Sequence, residues 1–184
     1  MRAKLFLYIL IAGFFNMNLT AQNGTFTLTS NDLGGQFSLK QVYDQYDCGG
    51  QNMSPQLMWK NAPAGTKSFA VTMFDPDAPT GSGWWHWLIF NIPVRINELP
   101  SDAGNTAHNL LPASVIQSLN DYGAYGYGGP CPPKGDKPHR YIITVYALKV
   151  AKIDLNKDSR PATVGFYLNR FAIAKSSIIA YYQR

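Results

Sequence analysis

Three histidines, two cysteines and two closely spaced aspartates are the residues on which chemistry in this 184-residue chain could turn. His86 stands in "FDPDAPTGSGWWHW" (74–87), where Asp75 and Asp77 flank Pro76 and Trp84, Trp85 and Trp87 surround the imidazole. His139 stands in "GPCPPKGDKPHRY" (129–141), downstream of Cys131 and two positions before Tyr141. Side chains alternate along a strand, so His139 and Tyr141 are expected on one face. Two imidazoles at strand starts, each after a Gly/Pro-rich turn, point to a shared cavity at the end of a sheet. His108, in "NTAHNLL", has no neighbouring acid or cysteine and reads as a surface residue.

Four chemistries compete for these residues. Core histidines satisfied by backbone carbonyls are the plainest. Asp-x-Asp with two histidines invites a metal, since one carboxylate and two imidazoles form open iron and zinc sites. The compact His-x-His and His-x-x-x-His spacings are absent, however. Cys131 beside either histidine supplies a thiol–imidazole pair for nucleophilic catalysis. Its flanking prolines leave few amides for an oxyanion hole, and no G-x-S-x-G elbow offers a serine instead. Anion recognition uses the remaining features together. Imidazoles, a tyrosine hydroxyl and the N–H groups of a glycine-rich turn are donors suited to phosphate. Tryptophans and prolines supply an apolar wall. An aspartate can hold an imidazole in its donating form, accept a ligand proton or bind an attached amine; the bland role for Asp75 and Asp77 is to cap the turn they begin.

Strands must position these side chains. "TFTLTS" (25–30) and "QFSLKQ" (36–41) alternate with period two around "NDLGG", which predicts a hairpin. "SFAVTMF" (68–74) is nearly all apolar and β-rich, so both of its faces are expected to be covered. "WWHWLIFNI" (84–92) and "RYIITVYALKV" (140–150) are the other strong strands. Such runs between Gly, Pro, Asn and Asp punctuation predict a mainly β, antiparallel sandwich or barrel. "RPATVGFYLNRFAIA" (160–174) places Val164, Tyr167, Leu168 and Phe171 at helical spacing, predicting one C-terminal helix, and "SIIAYYQR" follows as strand or tail. Segment 95–135 has little periodicity; its aromatic and proline content suits an ordered loop that builds a pocket.

The length suits one domain able to bury its own core. "MRAKLFLYILIAGFFNMNLTAQ" has Arg2 and Lys4, an apolar stretch too short for a comfortable membrane span, and a small residue at Ala21. That order predicts a signal peptide over 1–21, a domain over 22–184, no transmembrane anchor, and a periplasmic or secreted protein. Removing Arg2 and Lys4 lowers the formal charge from +5 to +3. The remaining Lys and Arg are scattered, which argues against a nucleic-acid partner. In an oxidising compartment Cys48 and Cys131 are open to a bridge or to two partly buried thiols.

"CGGQNMSPQLMW" (48–59), "DPDAP" (75–79), "WWHW" (84–87) and "GPCPPKGDKPHRY" (129–141) together resemble the phosphatidylethanolamine-binding protein family, in its bacterial, Raf-kinase-inhibitor-like branch. The resemblance runs from about residue 25 to the end of the chain. It implies a Greek-key antiparallel β-sandwich with a C-terminal helix and an anion pocket near one end. Asp75 and His86 match the pocket's first two motifs, Gly129 to Pro133 its rim, and His139 with Tyr141 its last motif. The Ala78–Pro79 bond is expected to be cis. The cysteine in "GGPCPP" departs from animal members, and Tyr181 and Tyr182 have no clear match to the animal pocket. The expected ligand set is Asp75, Asp77, His86, Gly129, Pro130, Cys131, Pro133, His139 and Tyr141, with no cofactor and no metal. The expected function is an exported binding protein for phosphate or a phospholipid head group. A protein-interaction module that inhibits a protease or other secreted enzyme through the 95–128 loop, and a weak hydrolase or metal-dependent enzyme, are the alternatives. A homodimer is compatible with either binding role. The kinase in the branch name is not carried over to an exported protein.

Overall fold

The computed structural model describes residues 24–184; the signal peptide expected over 1–21 lies outside the described residues. The strands are β1 (Thr27–Thr29), β2 (Leu57–Lys60), β3 (Ser68–Asp75), β4 (Trp84–Pro93), β5 (Glu98–Leu99), β6 (Ile116–Gln117), β7 (His139–Leu148) and β8 (Ala172–Tyr182), with helix α1 (Pro161–Phe171) before the last. They form two antiparallel sheets, one in the order β1-β2-β5 and one in the order β6-β4-β3-β7-β8.

The larger sheet is covered on both faces, which explains why β3 is apolar throughout. Phe69, Val71 and Met73 pack toward the smaller sheet with Leu57, Trp59, Ile89 and Ile143. Ala70 of β3 and Leu88, Phe90 and Leu148 of its neighbours pack on the other side against Val164 and Leu168 of α1. Those two helix residues are four apart and so share a face. Pro161 opens the helix, where its missing N–H costs no hydrogen bond. Burying each large aliphatic side chain is worth about 1.5–3 kcal/mol, so these two layers supply much of the drive that fixes the strand order.

Several expectations are corrected. Segments 25–30 and 36–41 do not pair as a hairpin. β1 pairs with β2, Leu28 opposite Trp59, while Gln36 makes an isolated parallel bridge to Tyr181. The alternation was real at Leu28 and Phe37, which are both buried, but each docks on a different sheet. The helix spans 161–171, shorter than 160–174, because Ala172 turns extended and opens β8 directly. The 95–135 segment is ordered by side-chain bonds, such as Gln117 Nε2 to the Ala103 carbonyl and Asn120 Nδ2 to the Gly126 carbonyl, and contributes the short strands β5 and β6. No peptide bond among the described residues is cis, Ala78–Pro79 included. Asp75 Oδ1 holds this turn, accepting from the N–H groups of Asp77 and Ala78 at 2.8 and 3.1 Å.

Candidate functional site

A bulge aims the first histidine. Met73 of β3 lies opposite Trp87 of β4 and Phe74 lies opposite Trp85, so His86 is an extra residue without a partner. An inserted residue breaks the alternation of side chains and recurs beside functional sites. Here it puts two consecutive side chains on one face. Trp87 enters the core between the sheets, and His86 follows it inward to meet Tyr141 edge-on, ring centroids 5.1 Å apart. Trp85 and Leu88 point to the helix side.

Strand order brings the rest alongside. Since β4, β3 and β7 are neighbours, Trp84 and His86, then Asp75, then His139 and Tyr141 line one cleft of about 490 Å³ at the end of the large sheet. Asp75, His86, His139 and Tyr141 are all buried, Tyr141 completely. Cys131, Pro132, Pro133 and Tyr122 close the cleft from the 118–135 loop, with Arg184 and Tyr46 at its rim.

Asp75 accepts on both oxygens. Besides the two turn amides on Oδ1, its Oδ2 accepts from His139 Nδ1–H at 2.8 Å. It therefore orients His139 and shapes the turn, with each oxygen already accepting at least one hydrogen bond. His139 Nε2 faces the half-exposed Asp136 at 3.4 Å. His86 is different: its Nδ1 lies 2.8 Å from the carbonyl oxygen of Gly128 and must donate to it. Burial lowers its pKa to about 4, against the opposing pull of the Gly128 carbonyl and the Asp75 charge. The neutral ring keeps its proton on Nδ1, and Nε2 carries only a lone pair.

Two donors in this cleft have no acceptor. Among the described residues, Tyr141 O–H and Trp84 Nε1–H are buried and find no hydrogen-bond partner in the protein. Burial, and next the Asp75 charge, push the Tyr141 pKa far up, so the hydroxyl stays a donor. Burial raises Tyr122 in the same way, and its O–H donates to the Gly129 carbonyl at 3.1 Å.

The rim is built by close backbone approach. A Cβ on Gly129 would collide with the Gln41 carbonyl and crowd the Tyr43 amide, and Tyr43 N–H donates to the Pro130 carbonyl at 3.1 Å. Cys48 and Cys131 are joined in a disulfide with Cα atoms 5.7 Å apart. The bridge removes Cys131 as a nucleophile, because the chemistry required a free thiolate. Arg184 ties the same two loops, its Nε donating to the Pro132 carbonyl at 2.6 Å and Nη1 to the Asp47 carbonyl at 3.0 Å.

Of the residues expected from sequence, Asp75, His86, Cys131, Pro133, His139 and Tyr141 line the cleft. Gly129 and Pro130 stand behind its rim. Asp77 turns away to Arg140, accepting from Nε and the backbone N–H on Oδ2 and from Nη2 on Oδ1, at 2.8–2.9 Å. That bond to the guanidinium holds the Asp77 carboxyl well below the usual range. His108 is exposed as expected but is bonded to Asp102 at 2.6 Å. Sequence reasoning missed Trp84, which strand alternation from His86 would have found, and also Tyr122 and Arg184. Among the described residues, no three His, Cys, Asp or Glu side chains gather to hold a metal.

The family model for phosphatidylethanolamine-binding protein matches residues 27–183. The chain belongs to this family. Within it, the UPF0098 protein YbcL of Escherichia coli K12 is 48% identical over 169 residues, which cover 91% of this chain and 92% of YbcL. YbhB of the same organism is 45% identical over 155 residues, covering 83% of this chain and 97% of YbhB. The crystal structure of YbcL, described as a new member of the mammalian family, superposes with a TM-score of 0.84 at 49% identity, over 86% of this chain and 98% of that one.

Proposed function

We propose that this family member is an exported binding protein whose cleft holds a small phosphate-type anion. The observation that carries the reading is the pair of buried donors, Tyr141 O–H and Trp84 Nε1–H, without protein acceptors in one cleft. Leaving a buried donor unmade costs about 1–3 kcal/mol, so two such residues lining one cleft favour an oxygen-rich ligand. The indole N–H can only donate, which selects acceptors over donors. Arg184 adds a positive charge at the rim. The family name supports a phosphate group as the ligand's core.

Export is supported by the N-terminal segment of the sequence and by the Cys48–Cys131 bridge, since disulfides persist in oxidising compartments. Expression in a bacterial host with mass analysis of the periplasmic product should give a chain beginning at Gln22. An intact N-terminus on protein retained in the cytoplasm would contradict export. Titration with inorganic phosphate and phosphoethanolamine, followed by NMR, should saturate with shifts confined to cleft residues. Unmoved spectra at millimolar ligand would contradict the binding reading.

A further inference from the structure

The two cleft histidines are held by different partners. His139 is bound to Asp75 through Nδ1–H and has Asp136 beside Nε2. His86 is bound through Nδ1 to a carbonyl oxygen, which has no hydrogen to give, so the ring cannot adopt the other neutral tautomer without losing that bond. Among the described residues its Nε2 makes no hydrogen bond of normal geometry, although the Gly129 carbonyl lies near enough to the ring to favour its protonated form. A fully ionised oxygen placed against that nitrogen sets lone pair against lone pair.

We propose that the cleft takes its anion together with a proton shared with His86 Nε2, so that the monoanion of a phosphomonoester, or dihydrogen phosphate, is bound in preference to a phosphodiester. This rests on the anion reading above and names the class of anion. The ionised oxygens of such a ligand meet Tyr141 O–H and Trp84 Nε1–H, and its P–OH meets His86 Nε2. A phosphodiester has no P–OH, so its binding demands that buried His86 itself be protonated, and burial opposes this.

The charged and titratable groups facing His86 from the packed elements do not replace this proton. From β3, Asp75 is spent on His139 and two amides. From β7 come His139 and Tyr141, and from the 118–135 loop come Asp121, bonded to the Trp85 amide, and Tyr122, whose hydroxyl is bonded to Gly129. Arg184 at the rim spends Nε and Nη1 on backbone carbonyls.

The test uses the full mature chain, with methyl phosphate and dimethyl phosphate as probes. Calorimetric titrations at pH 6, 7 and 8, each in two buffers of different ionisation heat, give affinity and proton uptake. A phosphomonoester loses its second proton at about pH 6. Methyl phosphate affinity should therefore fall about tenfold per unit between pH 7 and 8 with uptake of one proton. Dimethyl phosphate should bind at least tenfold more weakly at pH 7. In ¹⁵N-histidine-labelled protein the His86 Nε2 resonance should move from the unprotonated position toward the protonated one on binding methyl phosphate. Equal affinity for both esters, with no proton uptake and an unmoved Nε2 resonance, overturns the proposal while leaving the anion reading standing. Failure of both esters to bind overturns both.

Discussion

Tyr141 and Asp75 show how different two buried polar residues in one cleft can be. Tyr141 O–H has no protein acceptor, so Tyr141→Phe removes a cost from the folded state. Chemical denaturation should find the variant as stable as the parent or about 1 kcal/mol more stable, with phosphate affinity about tenfold lower. A large loss of stability would mean the hydroxyl has a structural partner. Asp75 satisfies three donors, so Asp75→Ala leaves two turn amides and His139 unpaired. It should cost about 3–5 kcal/mol in the same measurement, as expected when one partner of a buried pair is removed. The identities of these residues were legible in the sequence, and so was their meeting place, since Asp75, His86, His139 and Tyr141 all sit at strand ends. Their roles were not. Nothing in "DPDAP" says that the second aspartate leaves for Arg140 or that the first spends both oxygens; those outcomes depend on contacts 63 and 64 residues away.

At the scale of elements, the bulge in β4 and the loop that carries Gly129 make the cleft. Strict alternation from Trp87 would have sent His86 to the helix side; the extra residue between Phe74 and Met73 pairings turns it inward. A bulge has no period of its own, which is why the run "WWHWLIFNI" predicted the strand but not the direction of the imidazole. The rim depends on two loops distant in sequence, tied by Cys48–Cys131 across a separation of 83 residues. Closing so long a loop restrains the unfolded chain, and removing such a bridge costs about 2–5 kcal/mol. The double variant Cys48→Ser/Cys131→Ser should lose stability in that range and bind phosphate more weakly through a looser rim. Unchanged affinity would show that the remaining ties, Arg184 and the Tyr43–Pro130 bond among them, hold the rim without the bridge. The false hairpin over 25–41 has a related cause. Both segments alternate, but alternation identifies a half-buried strand and not its partner, and the long-range docking of Leu28 on Trp59 won.

For the whole molecule, the sandwich and its C-terminal helix were readable because β3, β4 and β7 carry strong β patterns and Val164 and Leu168 share a helical face. Arg184 gave no signal, since its role comes only from the fold bringing the segment after β8 back to the cleft. Burying His86 links global stability to pH. An unfolded histidine takes a proton near pH 6.5, whereas folded His86 resists until about pH 4. Its contribution is therefore complete above pH 6.5 and is lost as pH falls to 4, amounting to about 3 kcal/mol. Denaturation midpoints from pH 7 to 4 should fall accordingly, with a shallower slope in His86→Gln; parallel slopes would contradict the buried neutral ring. The central claim, that an anion sits on the unpartnered donors of this cleft, is tested most directly by the indole N–H resonances of the four tryptophans during a methyl phosphate titration. Trp84 should shift downfield and saturate, while Trp59, equally unpartnered but between the sheets, and Trp87, already bonded to Gln117, stay in place. An unmoved Trp84 signal at saturating ligand would contradict the account.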